Sequence, residues 1–214
     1  MTPTATIRLG ATVAATAYTV VLLVLGLYPT QLRFVFAYIP AVVGYLVIVF
    51  DKWAWRWRGV HHLIGRPWVG GTWRAVLTPS PESHIPEGGN RGPITTYLTI
   101  DQTYWSLHAT LRTAESSSSH SSNAIVNSPE NSGTAEICFL YENTPRVEHQ
   151  PRSPRHEGVA RISVTGHMPT AATGRYFTGR FTAGDMDLTL IDRSTGYGTF
   201  AQVQAADPDH HPTV

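Results

Sequence analysis

Very little in this 214-residue chain is of a kind that builds catalytic or metal centres. It has one cysteine, Cys138. That excludes an intrachain disulfide, a cysteine-cluster zinc site and a CxxC redox motif. Lysine also occurs once, as Lys52. Charged residues make up 14% of the chain and the net charge is +1, which argues against a strongly basic binder of polymeric nucleic acid. There is no Gly-rich phosphate loop, no GxSxG and no HExxH. Of the ten histidines, His149 and His156 lie seven apart across a Pro-rich loop. His108, His120 and His167 are scattered, and His61–His62 sit beside an apolar run. None has the i, i+4 spacing of a helical metal site. Asp185 and Asp187 share one strand face and read as a solvated pair. The expectation is a protein with no catalytic residues, no metal and no cofactor.

Apolar runs, by contrast, are present. Residues 9–28 carry no charge, and neither do residues 34–50. Each run approaches the roughly 20 residues that cross a bilayer core. Pro29 to Arg33 leaves room only for a turn, so two antiparallel transmembrane helices are expected within residues 1–52. Arg8 precedes the first run, and Lys52, Arg56, Arg58 and Arg66 follow the second. The positive-inside rule then puts both termini in the cytoplasm. Residues 53–66 form a juxtamembrane linker. In and just after it, Trp53, Trp55, Trp57 and Trp68 alternate with arginines, a texture suited to the lipid interface.

From Pro67 the period changes. Short runs rich in β-branched and aromatic residues alternate with turn clusters. Eight strands are expected at 70–77, 95–101, 104–113, 119–127, 134–142, 157–164, 173–180 and 185–191. No long helix separates them, which excludes parallel βαβ winding. An antiparallel up-and-down barrel or a sandwich over residues 67–191 fits, and eight strands leave a lumen for one small ligand. Leu107, Ala109 and Leu111 share one face, opposite His108, Thr110 and Arg112. Likewise Val159, Arg161 and Ser163 oppose Ala160, Ile162 and Val164. Trp73 is expected to plug one end of the barrel. Residues 192–214 read as a loosely ordered polar tail.

The order of several motifs behind the two apolar runs carries a resemblance. They are Pro67–Trp68 and GGTW at 70–73, QTYW at 102–105, the Ser-rich 116–122, LYENTP at 140–145, HEGVARISV at 156–164 and GRYFTGR at 174–180. The chain resembles the CD-NTase-associated protein 15 family, two-transmembrane effectors of CBASS anti-phage defence. The resemblance implies a bacterial inner-membrane protein whose lipocalin-like, eight-stranded antiparallel β-barrel faces the cytoplasm. It implies a cyclic oligonucleotide partner made by a cognate CD-NTase. Binding would drive homo-oligomerisation, disruption of the membrane lipids and abortive infection. A membrane-anchored barrel that binds a lipid or other apolar ligand is the alternative.

A cyclic dinucleotide offers phosphates to guanidinium and hydroxyl groups and bases to aromatic rings. The arginine candidates are Arg112, Arg175 and Arg180, and the ring candidates are Tyr104, Trp105, Tyr141 and Tyr176. Asn143 and Thr178 are candidates for base edges or phosphate.

Overall fold

The computed structural model describes residues 3–25, 30–57, 59–60, 64–87, 89–114, 116–120, 125–127, 133–151 and 153–209. The readings made of Pro29, Arg58, His61–His62 and Ser121–Ser122 lie outside these residues. The chain divides into two compact units. One holds residues 1–64 together with Thr103–Ser106, and the other holds 65–102 and 107–214.

The first unit contains two helices, α1 (Pro3–Leu25) and α2 (Thr30–Lys52), with Pro40 inside α2. They pack through small side chains. Ala11, Ala15 and Thr19 of α1 face Pro40, Ala41 and Gly44 of α2 across a shallow groove. Thr16 and Thr19 donate their hydroxyls back to the carbonyls of Thr12 and Ala15, at 2.9 Å each. Val20, Leu23 and Val24 on α1 are exposed, as are Tyr38, Val42 and Leu46 on α2. Among the described residues no helix is long and apolar enough to cross a membrane. The described side chains cover 10–24 of α1 and 38–52 of α2.

Asp51 and Trp55, at the end of α2 and in the 3-10 turn Ala54–Arg56, are buried. Residues 103–106 fold against them. Tyr104 N–H donates to the Asp51 carbonyl at 2.9 Å, and Trp105 N–H donates to Asp51 Oδ1 at 3.1 Å. The Tyr104 ring meets Phe50 edge-on at 5.0 Å and Trp55 at 6.2 Å. Of the tryptophans assigned to the lipid interface, Trp55 is therefore enclosed by protein. Trp53 and Trp57 are exposed, and Lys52 Nζ lies 5.7 Å over the Trp53 ring.

The second unit is an antiparallel sheet. Its strands are β1 (Gly71–Pro79), β2 (Ile94–Gln102), β3 (Leu107–Arg112), β4 (Ser116–His120), β5 (Ile125–Asn127), β6 (Thr134–Pro145), β7 (His156–Thr165), β8 (Ala171–Thr178) and β9 (Ala183–Asp192). The expected eight-stranded barrel is met in part. Seven strands of six residues or more form a continuous half-barrel wall in the order β3-β2-β1-β9-β8-β7-β6. The five-residue β4 pairs with both β3 and β6 and bridges the two ends of that wall. The three-residue β5 pairs farther along β6. The single strand expected at 119–127 is thus two short ones. A run of serines offers no apolar alternate positions to bury, so nothing fixes one long strand in register there.

Period-2 alternation decides what faces inward. Leu107, Ala109, Ala160, Ile162 and Val164 are buried in the core with Phe139, Met186 and Leu188. Val159 and Arg161 point outward, and Arg161 pairs with Glu136. Trp73 is buried and donates its indole N–H to the Val69 carbonyl at 2.9 Å. Beside it, Arg193 donates to the carbonyls of Trp68, Gly70 and Pro169. Its guanidinium lies 4.8 Å over the Trp68 ring and 5.9 Å over that of Trp73. Gln102 accepts the N–H groups of Val69 and Gly70 and donates to the Pro67 carbonyl. These side chains close one end of the wall.

The polar tail is not loosely ordered throughout. Phe200–Ala206 forms a short helix, α3. Thr199 and Gln202 make a reciprocal capping box that satisfies the first N–H groups. Val203 and Asp207 are buried. Asp207 accepts from Arg74 of β1 at 3.3 Å and from the Tyr97 hydroxyl of β2 at 3.2 Å. Phe200 packs on Tyr97 with ring centroids 5.1 Å apart.

Burial, reinforced by the Asp207 charge, pushes the Tyr97 hydroxyl up to about 12 from its ordinary 10.0. The native state therefore keeps a proton that the unfolded chain releases. The stability this contributes is complete below pH 10 and is lost as pH rises through about 12. Denaturant unfolding followed by circular dichroism should show stability falling steeply across that interval, and less steeply in Tyr97→Phe. An equally steep loss in Tyr97→Phe would contradict this assignment.

Candidate functional site

The inward side chains of the second unit leave a cavity of about 680 Å³, a size typical of small-molecule sites. Its floor is apolar, built from Leu77, Leu98, Phe139, Ala160, Ile162 and Met186. Toward the open end the lining turns polar, with Asn143, Thr178 and Thr182 on the wall. Glu87, Asn90, His149, Ser153, His156 and Arg180 come from the loops and strand ends around the mouth.

Two tyrosines form the walls of the upper cavity, and each is paired in register with a glycine. Tyr141 of β6 sits opposite Gly158 of β7. Tyr176 of β8 sits opposite Gly184 of β9. A Cβ on Gly158 would lie 2.4 Å from Tyr141 Cζ, and one on Gly184 would lie 2.8 Å from Tyr176 Cε1. Each ring thus leans into the space that a side chain on the next strand would need. Burial pushes the Tyr141 hydroxyl up to about 12, with Tyr176 adding to the shift and Arg180 opposing it. Burial also raises Tyr176, and the charge of Asp185 adds to the effect. Both hydroxyls stay protonated at neutral pH and can donate hydrogen bonds.

The mouth is held by a tight turn. Thr178 N–H donates to the Thr182 carbonyl, Phe181 N–H donates to the Thr178 carbonyl, and the hydroxyls of Thr178 and Thr182 share a 2.6 Å hydrogen bond. Phe181 has φ 60°, an uncommon backbone state for a residue with a bulky side chain. Within this turn Arg180 reaches Ser153 Oγ at 2.7 Å. On the facing side, Ser83 Oγ donates to the Ala183 carbonyl at 2.6 Å, and His84 N–H donates to the Phe181 carbonyl at 3.0 Å. Those bonds anchor the loop that brings Ile85, Glu87 and Asn90 over the cavity. His156 is held below its ordinary value by burial, against the Pro154 carbonyl that raises it and with Arg180 lowering it further.

Of the residues chosen from the sequence, Tyr141, Asn143, Tyr176, Thr178 and Arg180 line this cavity. Four others do not. Arg112 points to the opposite face of β3 and donates to Thr99 Oγ1 at 3.0 Å. Arg175 is exposed on the outside of β8 beside Asp185, 3.4 Å away. Strand geometry explains both, because adjacent residues face opposite sides and Leu111 and Tyr176 already point in. Tyr104 and Trp105 belong to the first unit, folded on the end of α2. His149, Ser153, His156, Glu87 and Asn90 were not chosen. They lie in loops or at a strand end, where no side-chain period says which way a residue points. Among the described residues no group of three or more His, Cys, Asp or Glu side chains is placed to hold a metal ion.

With the cavity located, comparison with known proteins places the same part of the chain in a described family. Residues 66–190 match the model of the family described as "Cap15, cyclic dinucleotide receptor domain". A curated relative from Staphylococcus schleiferi, CD-NTase-associated protein 15, is 23% identical over 157 residues, covering 73% of this chain and 79% of the relative.

Proposed function

Because the chain belongs to the Cap15 cyclic dinucleotide receptor family, we propose that its cavity is the receptor site for a cyclic dinucleotide made by a cognate CD-NTase. The observation that carries this reading is the pair of tyrosines laid over Gly158 and Gly184 in a cavity that Arg180 also lines. Aromatic faces stack with bases of any identity, and a guanidinium fits a phosphodiester. The protein acts by binding, not by catalysis.

The helix pair is the output of the receptor. Its exposed Val20, Leu23, Val42 and Leu46 and its internally satisfied threonine hydroxyls suit a lipid phase. The charge pattern orients both termini to the cytoplasm of a two-pass inner-membrane protein. Ligand binding drives copies together, and the assembled helices breach the membrane and kill the infected cell. Two helices cannot enclose a pore, so lysis requires oligomers.

The apolar floor favours a second reading, a barrel for a lipid or another apolar ligand. A thermal-shift series on the full-length chain in mild detergent separates the two. Cyclic di-AMP, cyclic di-GMP and 3′,3′-cyclic GMP–AMP are tested beside a fatty acid. A ligand at about 100 times its Kd adds about 2.7 kcal/mol to the stability of the state that binds it. A rise with one cyclic dinucleotide supports the receptor reading. A rise with the fatty acid alone transfers the site to apolar ligands.

A further inference from the structure

The rim of the cavity is polar and carries an arginine and two imidazoles, unlike its floor. Among the described lining residues, Arg180, His149 and His156 face a single acid, Glu87. The other acids nearby have partners of their own. Glu142 pairs with Arg155, and Glu148 Oε1 lies 3.4 Å from His149 Nε2. Arg180 does not swing freely, because the Thr178–Thr182 turn and the Ser153 hydroxyl fix its position.

We propose that one phosphodiester of the bound ligand docks at this rim against Arg180, beside His156, and that binding takes up a proton on the His156 imidazole. The inference rests on the receptor reading above and adds where the phosphate sits and what regulates its binding. His156 opens β7, with Glu157 next to it in sequence and Asn143 opposite it on β6. Arg180 of the β8–β9 turn acts on it, Arg155 precedes it and pairs with Glu142, and Tyr141, His149 and Glu87 line the same cavity. Burial, with a smaller contribution from Arg180, lowers His156 from its ordinary value and favours the neutral ring. A phosphodiester carries a fixed negative charge. Placed beside the ring, it reverses the balance and favours the imidazolium. Affinity therefore rises as pH falls through the range in which the bound histidine is protonated and the free one is not.

Isothermal titration of the full-length chain tests this with whichever of cyclic di-AMP, cyclic di-GMP and 3′,3′-cyclic GMP–AMP binds. Buffers of different ionisation enthalpy report the proton count. Affinity should tighten from about pH 8 to about pH 6 with net proton uptake. His156→Gln should flatten that profile. Arg180→Ala should weaken binding by about tenfold to a hundredfold, in line with loss of a charge-assisted contact. Its ligand-free melting curve shows whether it folds. Arg175→Ala, on the outer wall, should bind like the unmodified chain. A flat pH profile without proton uptake, or an Arg180→Ala affinity equal to that of the unmodified chain, overturns the inference and leaves the receptor reading standing. Absence of binding by all three nucleotides overturns the receptor reading and this inference with it.

Discussion

Gly184→Ala should lower the melting temperature by about 2 to 12 °C, from an overpacking cost of about 1–3 kcal/mol at about 2–4 °C per kcal/mol for a chain of this size. The added methyl would sit 2.3 Å from the Thr78 carbonyl oxygen and 2.8 Å from the Tyr176 ring and hydroxyl. The first neighbour is backbone of β1 and cannot move without opening the β1–β9 ladder. The second can rotate only into the cavity. Gly158→Ala meets the same problem, with Tyr141 Cζ at 2.4 Å and the Phe177 carbonyl at 2.7 Å. Both variants should bind a cyclic dinucleotide more weakly than their stability loss alone explains, because each pushes a tyrosine into the ligand's space. Gly179→Ala is the control. Its Cβ would meet nothing closer than the Glu157 carbonyl at 3.6 Å, and its stability should stay within about 0.5 kcal/mol of the unmodified chain. Thermal melts and titrations of the three variants decide it. A Gly184→Ala chain with unchanged melting and affinity would mean that Tyr176 does not lie against that strand.

The second large effect is at the closed end. Trp73→Ala should cost about 3–5 kcal/mol, the range for deleting a buried aromatic ring. The loss has three parts. The ring leaves a void among buried side chains. The Val69 carbonyl loses the indole N–H. Arg193, whose three carbonyl partners tie the end of β9 to residues 68–70 and 169, loses one of its two aromatic supports. Trp73→Phe keeps most of the volume and should cost less than half as much. Denaturant unfolding followed by circular dichroism measures both. A Trp73→Ala chain as stable as its parent would contradict the closed-end assignment.

Much of this architecture was legible in the sequence because it follows from period. Two uncharged runs became α1 and α2, and the alternation put Leu107, Ala109 and Leu111 on one strand face, which the fold turns to the core. The same rule could have removed two site candidates. Arg175 and Tyr176 are neighbours on one strand, so only one of them can face the lumen. Other features depend on partners distant in sequence. The apolar pattern of 104–107 reads as a continuation of β3, yet the Asp51 carboxylate takes the Trp105 N–H and the segment turns. Here a contact from 54 residues away overrides the strand preference. The α3 helix did leave a signal, since Thr199 and Gln202 have capping-box spacing. It was masked by the polar composition around it. The histidines of the mouth lie on a loop and at a strand end, and only the fold brings them beside Arg180.

The most direct test of the account is a structure of the full-length chain bound to the cyclic dinucleotide selected by thermal shift. The account predicts the ligand inside the cavity, with its bases against the rings of Tyr141 and Tyr176 and a phosphodiester within hydrogen-bond reach of Arg180. A nucleotide seated on the outer face of the wall, or a lipid chain filling the space above Phe139 and Ile162, would contradict it.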